Sequence, residues 1–141
     1  INLRAPFVLC QGFMRGLGDK GGGNIVNVCD QRVLNLGLGF TSYSLSKYGL
    51  WGLTQMLARD LAPRVRVNAI GPGPTLPSPR QTEDQFADQW QATPLERPVD
   101  PGDICRALRF ILDAPSLTGQ IIALDSGQHM GAAWDKDAVL E

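Results

Sequence analysis

Two short apolar runs, NIVNVC at 24–29 and RVRVNAI at 64–70, bracket a long stretch of helical periodicity. No other feature constrains the fold as tightly. β-branched, nearly all-apolar segments of this length read as strands buried on both faces. Between them, over 42–62, Leu50, Leu53, Leu57 and Leu61 recur on one helical face, and Pro63 ends the pattern. A strand, a helix and a strand in this order form a parallel pair, because parallel strands need a crossover connection.

The rest of the chain repeats the theme. Residues 2–16 place Leu3, Phe7, Cys10 and Met14 at helical spacing, and GDKGGG at 18–23 is a turn. A short helix is expected over 82–91. Asp100 caps another, with Pro101 at its first position and Ile104, Leu108 and Ile111 as its buried stripe. QIIALD at 120–125 is a third strand, followed by a polar tail. GPGPTLPSP at 71–79 is expected to be irregular, since proline lacks an amide donor and restricts the residue before it. The fold class is therefore α/β: a doubly wound parallel sheet of three strands with covering helices. Ligands of such sheets bind at the carboxyl ends of strands. Asp30 follows one strand end and the Pro-Gly loop follows the next, so the two are expected to be neighbours.

The totals narrow the class of protein. A chain of 141 residues supports one domain, read here as 1–141. Net charge is −1, which argues against a nucleic-acid or membrane-surface partner. Cys10, Cys29 and Cys105 are scattered and carry no metal-ligand spacing, so no metal is expected. An odd, dispersed set suits a reducing, cytoplasmic setting. No apolar run approaches a membrane span, and the first residues lack a signal-peptide pattern. The chain opens without Met inside a helical pattern, which suggests a piece of a longer protein.

The chemistry gathers at YSLSK. Tyr43 and Lys47 are i and i+4 on the long helix and share a face. A phenol titrates near about 10 in water, and a nearby ammonium favours the phenolate. Lys47 is thus expected to bring Tyr43 towards neutrality as an acid or base. The competing reading is a chance pair on a helix surface.

Taken together, INLRAPF, GGNIVNV, YSLSK, VRVNAIGPG, PLERPVDPGDI and LTGQIIALDSG resemble, in order and spacing, the C-terminal half of the short-chain dehydrogenase/reductase family. The resemblance implies a Rossmann-type sheet whose N-terminal nucleotide-binding half is absent. It implies Tyr43 as acid/base and Lys47 as the residue that lowers its pKa and holds the nicotinamide ribose. Asn2 would support a proton-relaying water. Pro72, Gly73 and Thr75 would touch the cofactor, NADPH, with NADH as the alternative. Thr75 stands in for the usual threonine, since Pro77 occupies that position. The family's glycine-rich phosphate loop has no counterpart, nor do the determinants of NADP over NAD. Asp125-Ser126-Gly127 replaces the usual Asp-Gly-Gly.

The family pattern places a Ser where this chain has Asp30. An ionised carboxylate only accepts hydrogen bonds and would repel the alkoxide formed from a ketone. It suits a substrate with N–H donors and a C=N bond, such as a reduced pterin. With LAPRVRVNAIGPG and LDSGQHM, this looks like the pteridine reductase and dihydromonapterin reductase branch, where an Asp works with the Tyr to deliver a proton. The expected function is NADPH-dependent reduction of a dihydropterin. One alternative is a general carbonyl or alcohol oxidoreductase with Asp30 a solvated loop residue. Another is a non-catalytic half-domain that only packs against a partner.

A small-molecule substrate is expected, and a homo-oligomer, dimer or tetramer, paired through the Tyr43 helix, whose second apolar side includes Trp51 and Met56. His129 reads as a surface or interface residue, and Cys29 as strand core. Trp51, Trp90 and Trp134 read as core or interface, with Trp90 also a candidate for a substrate lid.

Overall fold

A computed structural model describes residues 1–19, 21–37 and 39–131. Trp134 and the acidic tail lie outside the described residues. The elements, in chain order, are helix α1 (Arg4–Leu17), strand β1 (Gly23–Val28), a 3₁₀ turn (Gln31–Val33) and helix α2 (Thr41–Asp60). Strand β2 (Val65–Pro72), helices α3 (Glu83–Gln91) and α4 (Pro101–Asp113), strand β3 (Ile121–Leu124) and a second 3₁₀ turn (Gln128–Met130) complete them. The strands form one parallel sheet in the order β1-β2-β3. Val28 pairs with Ile70, and Ile70 with Ile122.

The core follows the pattern of the long helix. Leu50 and Leu53 pack with Cys29 of the strand end and Ala69 of β2, while Leu57 and Leu61 reach Val65 and Val67. Val67 and Ala69 are fully buried, as a central strand covered on both faces requires. One polar link crosses this core. Asn27 Nδ2 donates to Thr54 Oγ1 at 2.9 Å, and that hydroxyl donates to Leu50 O at 2.9 Å. Both groups are thereby satisfied without water. Arg66 clamps α4 to the sheet by donating to the carbonyls of Ile111 and Leu112, at the helix end where carbonyls lack partners.

Three expectations are corrected. Gly71 and Pro72 are strand, not loop: they extend β2 and face Ala123 and Leu124. A strand's last position tolerates proline, and a Cβ on Gly71 would already crowd Ile121 Cδ1 at 3.1 Å. The long helix stops at Asp60 rather than at the proline, because the residue before Pro63 is barred from the helical region. The stripes of α1 and α4 are only partly covered: Cys10 and Ile111 are buried, whereas Phe7 and Leu108 remain 42% and 38% exposed. In the described residues α1 lies over β1, an edge strand, so its outer residues have no sheet beneath them.

Elsewhere the local signals hold. Asp100 accepts from Gly102 N at 2.7 Å and Pro101 opens α4. Thr82 and Gln85 close a reciprocal capping box at the start of α3.

Candidate active site

β1 delivers its last residues to the carboxyl edge of the sheet. Cys29 N still donates to Ile70 O, at 2.8 Å, so the chain leaves the sheet only at Asp30. Asp30 is extended and caps the 3₁₀ turn: its Oδ1 accepts from Arg32 N at 2.8 Å. Its other oxygen, Oδ2, accepts from Tyr43 Oη at 2.7 Å. The expected meeting of Asp30 with the Tyr43 helix is thus present as a short, charge-assisted hydrogen bond. Both carboxylate oxygens are engaged, which fixes the plane of the group.

The protonation of Tyr43 runs against expectation. Burial pushes the phenol well above its ordinary value, and the hydrogen bond to Asp30 and its charge push in the same direction. A phenol that donates to a carboxylate keeps its proton, since ionising it would set two anions side by side. The cation that opposes this is Arg32. Lys47 Nζ donates instead to Val28 O at 2.9 Å and lies 5.8 Å from the Tyr43 ring centre. The expectation that Lys47 draws Tyr43 down to neutrality is therefore not met in this arrangement.

The anticipated site residues divide between two cavities. Asp30, Tyr43, Gly73 and Thr75 line an open cleft of about 820 Å³ at the strand ends. Asn2 and Lys47 line a separate groove of about 570 Å³ along the free edge of β1, with Leu9 and Phe13 among its apolar walls. Pro72 ends β2 below the cleft. Gly73 has a structural reason of its own: a Cβ there would stand 2.6 Å from Asp125 Cα. Thr75 Oγ1 donates to Gly73 O at 3.0 Å and braces the loop.

Sequence reasoning missed two features. Arg32 stacks over Phe40, 5.0 Å from the ring centre, at the cleft mouth. Its signal was only its place two residues after Asp30. His129 is not a bare surface group: its ring Nδ1 and its backbone N both lie 2.7 Å from Oδ2 of the buried Asp125. Its carbonyl accepts from Asn35 Nδ2 at 2.9 Å, tying the second 3₁₀ turn to the loop after Asp30. The Asp125-to-His129 spacing was the available clue. Cys29 behaves as core: burial pushes its thiol up to about 11, so it is no nucleophile near neutrality. Trp51 packs against the core, and Trp90 does not line the cleft, where Gln89 stands instead. Among the described residues no cluster of His, Cys, Asp and Glu is placed to hold a metal ion.

A three-stranded parallel sheet with a Tyr/Asp pair at its carboxyl edge is the layout of a Rossmann-type fold, in which that edge is where ligands bind. The family model described as enoyl-(acyl carrier protein) reductase matches residues 1–129, and the chain belongs to the short-chain dehydrogenase/reductase family. An uncharacterized oxidoreductase of Mycobacterium tuberculosis is 37% identical over 117 residues, covering 79% of this chain and 44% of that protein. The 3-oxoacyl-[acyl-carrier-protein] reductase of Homo sapiens is 32% identical over 92% of this chain and 54% of its own length. Among solved structures, FolM alternative dihydrofolate reductase 1 from Brucella suis, in complex with NADP, superposes with a TM-score of 0.89 at 45% identity. That match covers 96% of this chain and 54% of the other. The chain thus spans about half the length of the curated relatives it matches.

Proposed function

We propose that this chain carries the catalytic residues of an NADPH-dependent reductase that acts on a dihydropterin. The observation that carries the reading is the Tyr43 Oη to Asp30 Oδ2 hydrogen bond of 2.7 Å at the strand ends. Burial and the Asp30 carboxylate keep the proton on Tyr43, so the phenol meets the substrate as a proton donor. A C=N bond reduced at carbon needs a proton at nitrogen, and a protonated phenol beside a carboxylate suits that demand. The carboxylate also accepts from ring N–H groups and favours positive charge on the heterocycle. It disfavours the alkoxide that a ketone would generate. The likeness to the NADP-complexed FolM structure from Brucella suis, at 45% identity, supports both the cofactor and the substrate class.

The residues present fit the nicotinamide end of such a cofactor. Tyr43 and Lys47 stand one turn apart on α2 and would meet the ribose hydroxyls once Lys47 Nζ exchanges Val28 O for them. The Gly73–Thr75 loop lines the same cleft as Tyr43. The Gly21–Gly23 run enters β1 at its amino end, the wrong edge for a diphosphate cradle. When bound, the reduced nicotinamide would supply the hydride. Tyr43 would hold the proton, Asp30 would orient Tyr43 and accept substrate N–H groups, and Asn2 would support a proton-relaying water. The N-terminal half that completes nucleotide binding lies outside this chain in our reading.

We assign the protein to the cytoplasm, in keeping with three free cysteines of which Cys10 and Cys29 are buried. No helix among the described residues is long and apolar enough to cross a membrane. Leu45, Tyr48 and Met56 expose an apolar face on α2, which supports pairing of that helix in a homo-oligomer. The relatives named as carbonyl and 3-oxoacyl reductases favour a carbonyl substrate as the second reading.

NADPH absorbance decides between the two readings. The full-length protein is followed with a dihydropterin and with a panel of ketones, as wild type and as Asp30→Ser. Pterin turnover that Asp30→Ser abolishes is expected. Preference for ketones, or an indifferent Asp30→Ser, refutes the pterin reading. Failure to bind NADPH at all leaves only the packing role of a non-catalytic half.

A further inference from the structure

The cleft mouth carries a charge that the chemistry above does not use. Arg32 and Arg80 both line the cleft, and Asp30 is the one acidic side chain among its lining residues. Asp30 Oδ1 accepts from the Arg32 backbone N–H and Oδ2 from Tyr43, not from the Arg32 guanidinium. The Arg106–Asp103 ion pair and the His129–Asp125 contact both lie elsewhere. Glu83 and Asp84, the acidic residues nearest Arg80 in sequence, open α3 and do not line the cleft.

Arg32 is also oriented. Its guanidinium carbon lies over the Phe40 ring, 5.0 Å from the centre, a cation–π contact that uses the face of the ring. Phe40 is held for this in the left-handed region, at φ 54°, as the residue that opens α2. That is an uncommon conformation for an aromatic residue, and it puts the ring 70% in solvent at the rim. A cleft of about 820 Å³ has room for more than a bicyclic ring.

We propose that Arg32 and Arg80 form an anion subsite at the cleft rim that selects a pterin bearing a carboxylate tail over one with a neutral side chain. The proposal rests on the pterin reading and adds the substrate's second recognition element. Guanidinium groups bind carboxylates in two-point contacts and give up their hydration more readily than ammonium groups. The same chemistry would take a cofactor diphosphate, so the test separates the two anions.

In the full-length protein, kcat/KM is measured for dihydrofolate, whose tail carries carboxylates, and for dihydrobiopterin, whose side chain is neutral. Using their ratio cancels any effect of Arg32 on Tyr43. Wild type is expected to favour dihydrofolate. Arg32→Gln with Arg80→Gln should lower the ratio about tenfold, the scale of a charged hydrogen bond partly screened by water. Arg32→Lys should keep part of the preference, and added salt should erode it. An unchanged ratio in the double variant overturns the proposal. So does a rise confined to the KM of NADPH, which would assign the arginines to the diphosphate. If wild type reduces neither pterin, the pterin reading fails, and the subsite is judged by calorimetric titration with p-aminobenzoyl-glutamate. Binding lost in the double variant upholds the anion subsite, and no binding to wild type overturns it.

Discussion

Replacing Asp30 by Asn tests the central contact with almost no change of shape. The amide oxygen can still accept from Arg32 N, so the 3₁₀ turn keeps its cap. The amide has only that one oxygen, so its Nδ2, a donor, stands where Oδ2 was and the phenol loses its acceptor. Charged hydrogen bonds are about twice as strong as neutral ones, and a bond to a charged group contributes about 1.5–3 kcal/mol. The whole contact is lost, and the lower end, about 1.5 kcal/mol, applies because the pair is half-buried and water screens it. The sign follows from what is removed. The carboxylate disfavours the phenolate, so without it Tyr43 ionises more readily, with Arg32 now the dominant charge facing it. About 1.4 kcal/mol is a factor of ten, so the phenolate fraction at a given alkaline pH should rise roughly tenfold. Ultraviolet tyrosinate difference titration of the full-length protein, with Tyr43→Phe subtracted, reads this directly. Burial still holds the midpoint above that of a free phenol. A midpoint that stays put or moves upward refutes the coupling of Tyr43 to Asp30.

Other consequences follow from the packing. Thr54→Val leaves the Asn27 amide without its buried acceptor and should cost about 1–3 kcal/mol, measured by urea unfolding. Near-neutral stability would mean Asn27 finds another partner. Gly73→Ala drives a Cβ into the Asp125 backbone and should destabilise by about 1–3 kcal/mol while raising the KM for NADPH. A variant with unchanged melting would show that the loop yields freely. Iodoacetamide at pH about 8 should modify the exposed Cys105 and spare Cys29, whose thiol burial pushes up to about 11. The folded state holds that proton more tightly than the unfolded one. Stability therefore declines as pH rises from the ordinary thiol value of 9.0 towards 11, and not below it. Labelling of Cys29 as fast as Cys105 would contradict its burial.

Much of this architecture could be read residue by residue. The Leu50, Leu53, Leu57 stripe, the Asp100-Pro101 helix start and the three strands all follow from periodicity and capping, which depend on neighbours a few positions away. Asp30 and the Pro-Gly loop were expected to be neighbours because both follow strand ends at one edge of a parallel sheet, and the family resemblance implied that Asp30 works with Tyr43. The exposed Phe7 and Leu108 were not foreseeable, because a helical stripe records which face is apolar but not what covers it. The fate of Gly71 and Pro72 depended on the strand opposite, since Leu124 supplies the partner that makes Pro72 a strand residue.

The site divides along the same line. Residue types and spacing were sufficient to nominate Tyr43, Lys47, Asp30 and the Pro-Gly loop, because helical and strand geometry place them without reference to distant segments. The direction of the Tyr43 pKa, the turning of Lys47 towards Val28 and the stacking of Arg32 on Phe40 were settled by folding alone. So was the pairing of His129 with Asp125. Each depends on which charges and rings are brought within a few ångströms by the packed chain, and electrostatic energies change steeply over that distance.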